Sequence, residues 1–184
     1  MKSIVLSIIL GISVVVLSGC ETTSSRPYTA STENILMFQG ILLNTNAKLK
    51  LGAFTENKAI SDLTCRLMGP VDVSPGKSKA DYIKEAMQTE LFMAQVYDVN
   101  GEVELTGNLN SIDFSSISPA SWTIDFSISS NKHGGYKVTT NYPFKTSYSA
   151  YSACSNVADA FGPAVQQLIR DIINHSQFGE LVGL

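Results

Sequence analysis

Residues that could carry chemistry are scattered through this 184-residue chain, and few fall at spacings that a reaction needs. Asp113 and Asp125 sit on segments that read as neighbouring strands, where two carboxylates could flank a glycosidic bond as acid and base. Asp125, however, alternates with Ile124 and Phe126, on the polar phase of its strand, so a solvated sheet face accounts for it. His133 lies in a Gly-rich loop and His175 near the end of the last helical stretch. Each reads as a solvated or helix-terminal residue. Neither C-x-x-C nor H-E-x-x-H occurs, so no metal site is expected. Serines are frequent at Ser115, Ser116, Ser118 and Ser121, yet no G-x-S-x-G elbow frames any of them. Phosphate-cradling glycine patterns are absent. Tyr136, Tyr142, Tyr148 and Tyr151 crowd one stretch. Tyrosines pack strands onto helices, and they also mark interaction surfaces. Tyr148 and Tyr151 are the candidate partner surface, on the reading that their strand is a sheet edge able to accept a strand from another chain. No catalytic residue and no cofactor is expected.

The sharpest chemical signal is a cysteine. Lys2 precedes an apolar run, Ile4–Leu17, broken only by small Ser and Gly. That run is shorter than the about 20 residues of a membrane span and fits the hydrophobic region of a signal peptide over residues 1–19. It ends Leu17-Ser18-Gly19-Cys20, which resembles the lipobox of bacterial lipoproteins, Leu-[Ala/Ser]-[Gly/Ala]-Cys, at all four positions. The resemblance implies that the Cys20 thiol receives a diacylglyceryl group and that cleavage occurs before it. Each buried methylene contributes about 0.8 kcal/mol, and two chains already anchor a protein to a membrane stably. Glu21, where an Asp would favour inner-membrane retention, points to the outer membrane, with the folded part facing the periplasm. The formal net charge is −3, and cleavage removes Lys2 as well. Electrostatic attachment to anionic lipid is therefore not expected, and neither is nucleic-acid binding, which needs clustered Lys and Arg.

With Cys20 committed to lipid, Cys65 and Cys154 are a natural pair, because the compartment beyond the inner membrane is oxidising. A bridge between them closes a loop of roughly 90 residues, for which the chain-entropy picture assigns about 4–5 kcal/mol before any strain. It also requires the start of the C-terminal helix to lie over the segment around Leu63–Leu67.

The elements that must position these residues follow from periodicity. Residues 20–33 hold the lipidated Cys and a stretch with seven Ser or Thr, read as a flexible tether. Residues 34–184 read as one domain. Ile35–Leu43 is apolar without a clean period, leaving strand and short helix open. Lys48–Leu51 alternates as a strand does. Leu63, Cys65 and Leu67 place a second strand ahead of Gly69-Pro70. Ser78 and Asp81 form a capping box, followed by an amphipathic helix to about Tyr97. Three strands come next. The first slips phase near Asn110-Ser111, which predicts a bulge. The second alternates through Trp122, Ile124, Phe126 and Ile128. A hairpin loop at Asn131–Gly135 leads into a return strand with Tyr136, Val138, Thr140, Tyr142, Phe144 and Tyr148 in register. Pro143 assigns that strand to an edge or breaks it. A final helix runs through Val157, Phe161, Val165, Leu168, Ile169 and Ile172, kinked or divided at Gly162-Pro163. The fold class is α+β: a mostly antiparallel sheet with two helices packed on one face.

Cys65-Arg66, Gly69-Pro70, Tyr82-Ile83-Lys84-Glu85-Ala86, Glu90-Leu91 and Leu105-Thr106-Gly107 resemble the YajG-like uncharacterised bacterial lipoproteins. The resemblance continues through Phe114-Ser115-Ser116, Trp122-Thr123-Ile124, Ala153-Cys154 and Pro163-Ala164-Val165-Gln166, covering most of residues 62–178. More broadly the chain looks similar to periplasmic accessory domains, including the penicillin-binding-protein activator and transport auxiliary lipoproteins. The resemblance implies an α+β fold, an envelope location and no known enzyme activity. The expected function is non-enzymatic binding or scaffolding of another envelope component, with a protein partner in the envelope and the membrane held through acyl chains on Cys20. An auxiliary subunit of a lipid or solute transport assembly is the alternative, and an envelope hydrolase a minor one.

Overall fold

The computed structural model describes residues 23–45, 47–60 and 62–184. The expected signal peptide, Cys20 and Glu21 lie outside the described residues. In chain order the elements are β1 (Thr23–Ser24), α1 (Thr32–Leu42), β2 (Leu49–Glu56), β3 (Val71–Asp72), α2 (Lys79–Met93), β4 (Val103–Ser115), β5 (Ser121–Ser130), β6 (Tyr136–Pro143), α3 (Ala150–Asn174) and α4 (Phe178–Leu181). The main sheet has the order β2-β4-β5-β6. β2 runs parallel to β4, and the other two pairings are antiparallel. α2 packs on β2 and β4, and α3 on β5 and β6. This is the expected α+β class. No helix among the described residues is long and apolar enough to cross a membrane.

The bulge in β4 falls where the phase slips, between Leu109 and Ser111. The extra residue lets Leu105 and Leu109 on one side of it, and Ile112 on the other, all face the helices. Gly107 is needed on that face. A Cβ there would lie 2.4 Å from Cζ of Phe126 and 3.0 Å from Cδ2 of Phe54. Its absence admits the Phe54–Phe126 ring contact at 5.6 Å. Ser78 caps α2, its hydroxyl accepting from the Asp81 N–H at 3.0 Å. The helix stops at Met93, not near Tyr97, because Gln95 takes a left-handed backbone with φ 64°.

Two open expectations are narrowed and two others corrected. The open stretch 35–43 belongs to α1, a third helix, which packs on α2 and α3. Its buried residues Asn34, Phe38 and Leu42 recur every fourth position, but Leu36 stays exposed on the other side, so no single apolar stripe stood out. The segment Leu63–Leu67 is not a strand of the sheet. It is one arm of a small hairpin, bridged at Thr64 and Pro70, and Leu67 sits exposed at its tip. Pro163 lies inside α3 without dividing it. Ala160, Phe161, Ala164 and Val165 are buried on either side and hold the helix through the missing hydrogen bond. Finally, residues 23–31 are not a loose tether. β1 pairs in parallel with β3, and the residues after it are hydrogen-bonded to α2 and α3.

Candidate functional site

Arg66 organises one end of the molecule. It occupies the hairpin tip with φ 50°, a left-handed conformation that turns the chain so that the Cys65 N–H donates to Gly69 O at 3.0 Å. Cys65 is joined to Cys154 by a disulfide, with Cα atoms 5.8 Å apart, which fixes the hairpin to the first turns of α3. The bridge puts α3 where the cysteine pairing requires. Trp122 Nε1 donates to Val157 O at 3.0 Å, and its ring lies 5.2 Å from that of Phe161.

The Arg66 side chain then reaches across two loops. Its Nε donates to Ser116 Oγ at 3.2 Å, and Nη2 to Ser116 O at 2.9 Å and to Ser147 O at 3.1 Å. Nη1 donates to Tyr148 O at 3.3 Å. Ser116 begins the β4–β5 loop and Ser147 and Tyr148 belong to the β6–α3 loop, so one guanidinium ties three segments together. Thr146 adds a hydroxyl bond to Ser116 O. All four Arg66 acceptors are uncharged, and among the described residues no carboxylate pairs with it. A planar fork with fixed donors suits this role, which a lysine ammonium could not fill.

Around this clamp stand side chains that water surrounds although they are apolar. Leu67 is 102% exposed, Ile117 70% and Tyr148 107%. A surface cavity of about 620 Å³ opens between Arg66, Ile117, Ser118, Thr146, Ser147 and Tyr148. Apolar groups gathered at one place on a surface mark contact with something other than water. Both tyrosines singled out in the sequence are exposed. Tyr148 lines the cavity, and Tyr151 lies in the first turn of α3. Neither is on β6, which is an edge strand but ends at Pro143. Arg66, Leu67 and Ile117 were missed. The available signal was Ile117, an apolar residue alone in a run of serines.

The other candidates are dispersed. Asp113 and Asp125 lie on the sheet face away from the helices. Asp125 accepts from Lys137 Nζ at 2.8 Å and Thr139 Oγ1 at 2.5 Å, and these bonds hold its carboxyl below the ordinary range. His133 meets Glu180 of α4 at 3.3 Å, and His175 stacks on Tyr136 with ring centroids 3.9 Å apart. Among the described residues no three metal-ligating side chains cluster.

A second polar cluster holds the N-terminal segment down. Glu90 of α2 is fully buried and accepts from Tyr28 Oη at 2.5 Å, the Ser31 N–H at 2.9 Å and Asn34 Nδ2 at 3.0 Å. Asn34 Nδ2 also donates to Gln166 O at 2.9 Å, and Gln166 Nε2 to Thr29 O at 2.6 Å. Burial pushes the Glu90 carboxyl above its ordinary pKa, against the pull of its donors. Beside this strap the Tyr82 hydroxyl is buried with no partner among the described residues, and burial pushes it up to about 12.

No family model matches the chain, and neither does any curated protein. A crystal structure of protein XCC0632 from Xanthomonas campestris, of the family DUF330, is similar in fold at 13% identity and a TM-score of 0.45. The match covers 68% of this chain and 81% of that one. A likeness so slight carries no argument.

Proposed function

We propose that this chain is a lipid-anchored protein of the bacterial envelope that works by binding, and that its binding surface is the apolar end around Arg66. The observation that carries this reading is the grouping of exposed Ile117 and Tyr148 about a cavity of about 620 Å³, with Leu67 exposed next to Arg66, on three segments locked by one guanidinium and a disulfide. Order of this kind is needed to present a surface, because a loose loop would lose side-chain and backbone entropy on contact. The lipobox ending in Cys20 supports the anchor, Glu21 supports the outer membrane, and the YajG-like resemblance supports an envelope location facing the periplasm.

Two measurements test the reading. Membrane fractionation of Cys20→Ser is expected to find soluble mature protein or uncleaved precursor. Mature Cys20→Ser protein floating with membranes as the parent does would sink the anchor. A photo-crosslinking residue at position 148 is expected to capture an envelope component, protein or lipid, in cells. One at position 99, at the opposite end of β4, serves as the comparison. Equal capture at both positions would refute the surface.

A further inference from the structure

We infer that the end around Arg66 docks against the bilayer that holds Cys20, with Leu67, Ile117 and Tyr148 seated in the interface between headgroups and acyl chains. The inference rests on the lipid-anchor reading above and names the occupant of the same surface.

The leash is too short for the domain to turn freely. β1 begins at Thr23, three residues beyond Cys20. Three peptide steps reach at most about 11 Å. A domain of this length has a radius of gyration of roughly 15 Å. Whatever end of the domain β1 starts from must therefore face the membrane closely. Pairing decides which end that is. β1 and β3 are parallel, Thr23 opposite Val71 and Ser24 opposite Asp72. The chain thus comes into β1 from the side on which Pro70 leads into β3. That is the side of the hairpin tip, where the Cys65 N–H meets Gly69 O and Leu67 projects. Arg66 and its four hydrogen bonds place Ile117 and Tyr148 beside that tip.

The chemistry of this end matches the interface. Leucine and isoleucine gain by leaving water for the acyl boundary. Tyrosine buries its ring there and keeps its hydroxyl among the headgroups. The Arg66 guanidinium, paired only with neutral oxygens, retains its charge for a lipid phosphate. A soluble protein partner would have to enter a gap set by the same short leash, whereas lipid is already there.

The test uses the full chain processed in a bacterial envelope and reconstituted into vesicles of phosphatidylethanolamine and phosphatidylglycerol with brominated acyl chains. Bromine quenches tryptophan only at short range, and the chain's single tryptophan, Trp122, is fully buried. Tyr148→Trp and, as a second variant, Ile117→Trp are expected to lose about half or more of their added emission, since an interfacial face sits about 5–10 Å into the headgroup–acyl boundary. Val99→Trp is the control: exposed at the far end of β4, roughly 40 Å away by strand length, it is expected to lose none. Mass spectrometry of the same preparation reads Cys20 independently. An acylated Cys20 with both Tyr148→Trp and Ile117→Trp unquenched overturns the docking and leaves the anchor standing. An unmodified Cys20 overturns the anchor and the docking with it. Equal quenching at Val99→Trp overturns the orientation. A protein adduct at position 148 in cells, with no quenching in vesicles, assigns the surface to a protein and overturns the inference.

Discussion

Breaking the Cys65–Cys154 bond tests both the fold and the surface it supports. The bridge closes a loop of 89 residues, for which the chain-entropy picture gives about 4.6 kcal/mol at 25 °C. Loss of a native bridge is expected to fall between about 2 and 5 kcal/mol, because the freed chain retains some structure. At this chain length each kcal/mol moves the midpoint by about 2–4 °C, so Cys65→Ala should melt about 4–20 °C lower. Cys154→Ala should match it, and the double variant should cost little more than either alone. That non-additivity is the signature of one shared bond. Circular dichroism melts of the three variants give the comparison, and urea transitions check the free energies. Both sulfurs are buried, so each Ala also removes a small amount of packing, similar in size at the two sites. If the double variant loses the sum of two large single effects, the cysteines act as two separate buried side chains and the reasoning is refuted. Amide exchange gives a local reading. Reduction should raise exchange at Cys65 and Met68, whose N–H groups close the hairpin, before it touches the β4–β5 ladder.

Other consequences follow from single contacts. Glu90 has a folded pKa above its ordinary 4.5, so the native state binds its proton more tightly than the unfolded chain does. Its contribution is therefore greatest at low pH and is lost as pH rises from about 4.5 through the raised value. Urea melts of Glu90→Gln should gain on the parent as pH climbs towards neutral, and a variant that instead falls behind over that span contradicts the assignment. Gly107→Ala should destabilise by about 1–3 kcal/mol through overpacking against Phe126, measured by denaturant melts, whereas a neutral result would show that the rings shift freely. Tyr82→Phe removes a buried hydroxyl that has no partner among the described residues, so stability should be unchanged or rise by up to about 1 kcal/mol. A comparable loss in thermal melts would reveal an unrecognised partner.

Glu90 illustrates a signal that periodicity carried and residue type concealed. Ile83, Met87, Glu90 and Ala94 follow the spacing of one helix face, and all four are buried in the folded chain. A buried carboxylate requires donors, and these come from Tyr28, Ser31 and Asn34, more than 50 residues away in the chain. The segment that looked like a solvated tether is ordered by that demand.

What the amino-acid order settled alone was what short-range physics can settle. The Ser78 cap, the phase slip at Asn110, the alternation of β5 and the Asn131–Gly135 turn each depend on neighbours within a few positions, and each appears where expected. The cysteine pair was legible because only two thiols remained once Cys20 was assigned to lipid. Tertiary structure alone decided the rest. α1 is apolar on more than one side, and only packing on α2 and α3 chooses its buried face. The Arg66 clamp joins residues about 50 and 80 positions apart, mostly through backbone carbonyls, which every residue type provides. A contact whose acceptor is the peptide backbone leaves no mark in the side chains at its far end. The arrangement of Leu67, Ile117 and Tyr148 on one surface is therefore set by the folded chain as a whole.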